Sequence, residues 1–252
     1  MKILIGCECS GVVREAFRRR GHEAWSCDLK PAEDLTDFHI RGDVIAAIQE
    51  RGPWDLGVFF PECRFLCSSG LHWNTRRPER AKETEKAFRF AMELRRCADK
   101  HLQHWALENS IGCLSTRWRS PDQIIQPHQF GHDAAKGTCL WLSGLPTLRG
   151  TKRIAPRWVC KHCDMVQRWS LKDSDIFALF GCPLCGGKLL PRWANQTDSG
   201  QNRLGPSPSR SEDRARTYPG VAEAMAEQWG DVDKHPVDLF ARVDNSNERG
   251  RS

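Results

Sequence analysis

MKILIGCECSGVVREAFRRRGHEAWSCD, residues 1–28, decides the fold. Residues 2–7 are a short apolar run, the pattern of a strand buried on both faces. Cys9, Ser10 and Gly11 form a tight turn after it. Residues 12–20 then read as a helix, with Val13, Ala16 and Phe17 on one face and arginines on the other. Gly21 stops it, and residues 23–27 form a second strand with Asp28 at its C-terminal end. This is a strand–turn–helix–strand unit of the doubly wound kind.

The same rhythm continues outward. Residues 40–44 lead into a helix that runs through Gln49. Residues 54–60 (WDLGVFF) are a buried strand, closed by Pro61-Glu62-Cys63. Residues 79–101 form a long charged helix, and residues 104–107 a strand closed by Glu108-Asn109. Residues 124–130 and 138–142 are further strands, and residues 221–229 a final helix. Alternating strands and helices imply an α/β domain with a mostly parallel sheet covered on both faces. The rhythm breaks between Gly150 and Pro191; residues 193–211 read as a polar loop, and residues 242–252 as a flexible tail.

Composition narrows the function. The 252 residues suit one full-sized domain with a small insert, and 39% hydrophobic content supports a real core. A net charge of +6 suits a nucleic-acid partner, though many basic proteins have none. The apolar start is too short for a signal peptide, and no stretch reaches bilayer length, so no membrane role and a cytoplasmic location are expected. In a reducing compartment the 12 cysteines read as metal ligands or catalytic groups rather than disulfides.

Four of them have a specific pattern. Cys160-x-x-Cys163 and Cys182-x-x-Cys185 each sit on a turn. Two such knuckles supply the four thiolates of a closed, tetrahedral, structural Zn2+ site. Its expected role is to stabilise a segment too small to bury its own core.

Other residues stand where α/β folds gather chemistry, beyond the C-terminal ends of strands. Backbone amides at the start of the first helix can bind an anion. Asp28 can accept hydrogen bonds from a ribose, and Asp43 can reach the next part of a nucleoside. The first turn lacks the full Gly-x-Gly-x-x-Gly pattern, which disfavours a dinucleotide. Cys63 can act as a nucleophile, and Glu108 as a proton donor beside it.

In this order, Cys9-Ser10-Gly11, Asp28, Gly42-Asp43, Pro61-Glu62-Cys63 and Glu108-Asn109 resemble the motifs of the DNA cytosine-5 methyltransferases. Leu114-Ser115-Thr116-Arg117-Trp118, Phe130-Gly131-His132-Asp133, Thr138-Cys139-Leu140-Trp141 and Trp193-Ala194-Asn195-Gln196-Thr197 are similar to the short phage and prophage versions. The resemblance implies a Rossmann-like AdoMet-dependent methyltransferase fold over residues 1–150 and 193–241, with a zinc ribbon inserted at 151–192. It implies S-adenosylmethionine as methyl donor. Cys9, Ser10 and Gly11 would hold its amino-acid end, Asp28 its ribose and Asp43 its adenine, with Phe60 and Pro61 completing the site. It implies that cytosine leaves the DNA helix, that Cys63 adds to C6, that Glu108 engages N3, and that Asn109 orients the glutamate loop.

Four features depart from the general family, one of them the final Gly-Asn motif, which is replaced by Thr217-Tyr218-Pro219-Gly220 in a form similar to the phage versions. Glu62 replaces a proline and puts a negative charge beside the thiol, which is expected to disfavour its ionisation. Ser110 stands where valine or proline is usual. No Gln-x-Arg-x-Arg strand is present; Lys136, Gln126 or Arg117 are the available substitutes. The ribbon occupies the place of the target-recognition region, with Lys152, Arg153, Arg157, Lys161 and Arg168 available for phosphates of double-stranded DNA. A related transferase with another donor or base, a non-catalytic DNA-binding protein and a free-nucleotide enzyme are the competing readings.

Overall fold

The computed structural model describes residues 1–205, 207 and 214–232, the side chains at 175 and 177 excepted. The proposed tail at 242–252, and residues 208–211 of the polar loop, lie outside them.

Seven strands form one sheet: β1 (Lys2–Gly6), β2 (Glu23–Asp28), β3 (His39–Arg41), β4 (Leu56–Phe59), β5 (His104–Ser110), β6 (Gln123–Ile125) and β7 (Thr138–Ser143). Their order is β3-β2-β1-β4-β5-β7-β6. The pairs from β3 to β5 are parallel, while β7 runs antiparallel to both β5 and β6. No crossover helix joins β6 to β7, so the chain returns antiparallel. The molecule is therefore α/β with a mostly parallel mixed sheet.

Alternation along β1 explains its uniform apolarity. Ile3 and Ile5 face one side of the sheet, where α1 (Val12–Arg19) and the C-terminal helix pack through Val13, Phe17, Met225 and Trp229. Leu4 faces the other side, where α2 (Val44–Glu50) and a long helix pack through Val44, Ile48, Ala91 and Leu94. That long helix is α4 (Pro78–His101); the short α3 (Ser68–Leu71) precedes it and α5 (Cys113–Arg117) follows β5. Both faces are buried, so the strand carries no polar alternation.

One α1 arginine departs from the expected polar face. Arg14 is fully buried. Its guanidinium donates to Ser26 Oγ (2.8 Å) and Glu15 Oε1 (3.0 Å) and pairs with Asp34. A buried cation survives only where such partners compensate its desolvation. The strand read at 124–130 is also shorter. It ends at Ile125, because Pro127 opens a 3-10 turn (Pro127–Gln129) whose capping residue, Gln126, and last residue, Gln129, cap each other.

A second, three-stranded antiparallel sheet is built from β8 (Arg157–Cys160), β9 (Val166–Arg168) and β10 (Leu189–Arg192), ordered β10-β8-β9. Between its knuckles runs α6 (Leu171–Phe180), which the sequence reading did not anticipate. The C-terminal helix, α7, spans Pro219–Trp229. No helix among the described residues is long and apolar enough to cross a membrane.

Candidate functional site

Cys63 lies just beyond the C-terminal end of β4, while Glu108 lies inside the neighbouring parallel strand β5 and acts on its thiol; β5 runs on to Ser110, past the end expected from the sequence, because Glu108, Asn109 and Ser110 pair with β7. Asn109 joins the two strand ends. It is fully buried, and its Nδ2 donates to the carbonyl of Pro61 at 2.8 Å. The amide therefore holds the Pro61-Glu62-Cys63 loop rather than solvent. Gly112 permits a second close approach: a Cβ there would lie 1.9 Å from the Leu66 carbonyl oxygen. Cys113 N donates to that same oxygen (2.9 Å), and Ser68 N donates to Ile111 O (2.9 Å).

Burial pushes the Cys63 thiol up, and the Glu108 carboxylate adds to that shift. A hydrogen bond with Ser110 and the charge of Lys136 act in the opposite direction. Burial also raises the Glu108 carboxyl, which Lys136 partly offsets. Glu62 is exposed, and the acid acting on the thiol is Glu108, contrary to the expectation drawn from adjacency. Ser110 and Lys136 were not assigned roles from the sequence. Ser110 stood out only as a mismatch, and Lys136 as one of three candidates.

The geometry separates those three. Arg117 pairs with Glu85 (2.8 Å) and stacks over Phe88, on the α4 side. Gln126 Oε1 accepts from Lys136 N (2.9 Å) and so acts as a support. Asn195 clamps the preceding residue, accepting from Ala135 N (3.0 Å) and donating to Ala135 O (2.9 Å). Lys136 is thus the cation of the site. It lines a small cavity of about 20 Å³ with Phe60, Glu108, Pro127, Tyr218 and Val221. Tyr218 is the chain's one tyrosine. It lies more than a hundred residues from Glu108 in sequence, which no local pattern connects.

The first turn is built differently from expectation. Cys7 holds φ +58°, a strained value for a non-glycine residue. The amides of Val13 and Arg14 at the start of α1 are not open to an external anion. The buried Glu8 carboxylate accepts from them at 2.8 and 3.4 Å, and from Ser10 Oγ at 3.2 Å. Cys9 Sγ lies 3.7 Å from Glu33 Oε1, and Gly11 caps the helix at φ +72°. Asp28 and Asp43 do come together: both raise the Cys7 and Cys27 thiols beside them. Asp43 Oδ1 caps α2, accepting from Ile45 N and Ala46 N at 2.9 Å each. Asp28 Oδ1 accepts from Lys30 N at 2.9 Å.

No protein-family model matches this chain, and no curated protein matches it.

Cys160, Cys163, Cys182 and Cys185 bring their four sulfurs within 4.8 Å of one another. The pairs Cys160–Cys185 and Cys163–Cys182 are each 3.6 Å apart. That spacing suits a tetrahedral ion held by sulfur at roughly 2.3 Å. A Cβ at Gly187 would lie 3.1 and 3.2 Å from the Cys160 and Cys185 sulfurs, so glycine keeps the cradle open. Backbone amides of His162 and Cys163 hold the Cys160 thiol down to about 6, while the neighbouring cysteines push the Cys163 and Cys185 thiols up, so the four do not ionise together unaided. The cluster can bind a metal such as zinc. His162 contributes its amide, donating to Cys160 Sγ at 3.3 Å.

Of the five basic residues assigned to DNA, Arg157 and Arg168 form ion pairs within the chain. Arg157 pairs with Asp198 and donates to Gln196 O (3.2 Å). Arg168 pairs with Asp133 (2.6 Å) and donates to Ala155 O (2.9 Å). They tie the ribbon to neighbouring loops. Lys152, Arg153 and Lys161 are exposed.

Proposed function

We propose that the protein is a DNA cytosine-5 methyltransferase-like enzyme with a Rossmann-like methyltransferase fold. The observation that carries this reading is the cavity lined by Glu108 and Lys136, two charged groups that both act on the Cys63 thiol beyond the end of β4. The strand order with a single reversed strand, β7, supports it.

In this reading the cytosine is turned out of the DNA helix, because its C6 cannot be attacked within the stack. Cys63 adds as thiolate to C6, and the Cys63 sulfur–C6 bond forms. Glu108, whose carboxyl is raised by burial and partly lowered again by Lys136, in its protonated form donates its hydrogen bond or proton to N3 and draws electrons toward the ring nitrogen. S-adenosylmethionine would supply the methyl group that C5 accepts, its sulfonium–methyl bond breaking to leave S-adenosylhomocysteine. Loss of the C5 proton and cleavage of the sulfur–C6 bond regenerate the ring and the free thiolate. Ser110 and Lys136 favour that thiolate, and Asn109 holds the cysteine loop against β5. Asp28 and Asp43 are the groups available for the donor's ribose and adenine. Zinc, held by the four ribbon cysteines, would support structure and take no part in these steps.

The test is methyl transfer from labelled S-adenosylmethionine to mixed-sequence duplex DNA, beside Cys63→Ala. Label in cytosine that the substitution abolishes supports the reading. Absence of label with intact donor binding would sink it. One observation favours a second reading, a transferase with the same cysteine but another donor. Glu8 occupies the helix amides that were assigned to the donor's carboxylate. Mass analysis of nucleosides from cells expressing the protein separates the two.

A further inference from the structure

The chain beyond Cys63 carries a surface that the reaction above does not use. From Arg64 to Lys82 there are five cations, Arg64, Arg76, Arg77, Arg80 and Lys82, against one acid, Glu79, so the segment favours an anionic partner. Within it, Trp73 is 39% exposed. The guanidinium carbons of Arg76 and Arg77 lie 5.7 and 5.1 Å from its ring centroid, and the His72 ring lies 4.9 Å away. Arg64, Arg76 and Arg77 are exposed and form no ion pair among the described residues. Arg80 has a different role: it donates to Gly70 O (3.2 Å) and Arg64 O (2.9 Å), bracing the loop.

The platform is fixed, and it is continuous with the site. The buried Thr84 of α4 donates to Phe65 O (3.0 Å) and accepts from Asn74 Nδ2 (3.0 Å). Leu66 N and Cys67 N both donate to Cys63 O at 3.0 Å. A cationic surface alone selects any polyanion. An exposed indole between guanidinium groups adds a preference for a polyanion that carries flat rings. An acidic protein patch offers the charge without the stacking faces.

We propose that Arg64, Trp73, Arg76 and Arg77 form the face that grips the polynucleotide presenting the target base: the guanidinium groups take phosphates and the Trp73 indole stacks on an exposed base. This rests on the reading of the protein as an enzyme that acts on a base within a polynucleotide. It assigns the main grip to the Cys63 loop rather than to the ribbon.

The experiment is a salt titration of binding to a fluorescent mixed-sequence duplex, read by anisotropy, with the full chain and no methyl donor. Arg76→Ala with Arg77→Ala should flatten the slope of log affinity against log salt by about 2. Arg76→Lys with Arg77→Lys, which keeps both charges, should restore the slope. Trp73→Ala should weaken binding roughly tenfold with the slope unchanged. Unchanged affinity and slope in the alanine variants overturns the proposal. So does a slope that flattens only when Lys152, Arg153 and Lys161 are replaced. Binding with the expected dependences but no methyl transfer would remove the methyltransferase reading and leave this surface standing. Methyl transfer with binding indifferent to these residues would do the reverse.

Discussion

Cys63 is a thiol that its surroundings both hinder and help. Burial and Glu108 raise it, while Ser110 and Lys136 lower it. Ser110→Ala should therefore move the thiol's titration to higher pH, and Lys136→Met should do the same while also raising Glu108. Glu62→Gln should leave the thiol's titration in place, since Glu62 is exposed. The check is the rate of alkylation against pH, read by mass spectrometry on the tryptic peptide 52–64, which holds Cys63 and no other cysteine. If the reaction needs ionised Cys63 and protonated Glu108, activity rises with pH as the thiol ionises. It falls again as Glu108 loses its proton, giving a bell. Lys136→Met should shift both limbs upward, because one cation acts on both groups. A profile that moves on only one limb would contradict that shared role.

At the scale of elements, the start of α1 is closed by a neighbour in sequence. Glu8 binds the Val13 and Arg14 amides, and its own carboxyl is raised by burial and pulled back by those same bonds. Glu8→Ala should leave two buried donors unmet and cost about 1–2 kcal/mol of stability. Glu8→Gln keeps an acceptor oxygen and should recover much of it. Denaturant midpoints measure both. If Glu8→Ala unfolds at the wild-type midpoint, the capping role fails. The loop at 133–137 is an element of the same kind. Asp133 accepts from Ala194 N (3.0 Å), and Asn195 clamps Ala135, so the Trp193-Ala194-Asn195-Gln196-Thr197 stretch acts as a brace for Lys136.

Across the whole molecule, that brace links the ribbon to the cavity. Arg168 of β9 grips Asp133, three residues from Lys136. Elemental analysis should find one zinc per chain, and replacing Cys160 and Cys185 with serine should abolish it. Removing the metal with a strong chelator should expose residues 151–192 to proteolysis, while circular dichroism keeps the signal of the seven-stranded sheet. Intact resistance of that segment after complete metal removal would show that the cysteines do not hold it. Arg168→Ala should keep the zinc and lower kcat through a looser Lys136. Equal kcat would confine the ribbon's influence to its own sheet.

Periodicity is local, so strands β1, β2, β4 and β5, the helices α1, α2 and α4 and the two covered faces of the sheet were legible in residues 2–107, whereas β3, at three residues, was too short to show a period. Ligand spacing is local too, and each Cys-x-x-Cys knuckle could be read from four consecutive positions. The sequence by itself also placed Cys63 just past the end of β4, but it ended β5 too early: the polar Glu108, Asn109 and Ser110 stay in that strand because they pair with β7. The remainder depended on contacts between distant segments. β7 is reversed because its connection to β6 has no crossover helix, and neither sequence stretch records its partner strand. Arg14 is buried because Ser26 and Asp34 meet it across a turn and a strand. Lys136 rather than Arg117 became the site's cation because Asn195, some sixty residues later, holds its loop toward Glu108. Tyr218 joined the cavity by way of α7, which packs on α1 from the opposite end of the chain. Side-chain chemistry is written residue by residue, but the low-dielectric cavity that gives it a pKa and a partner exists only once the sheet has closed over it.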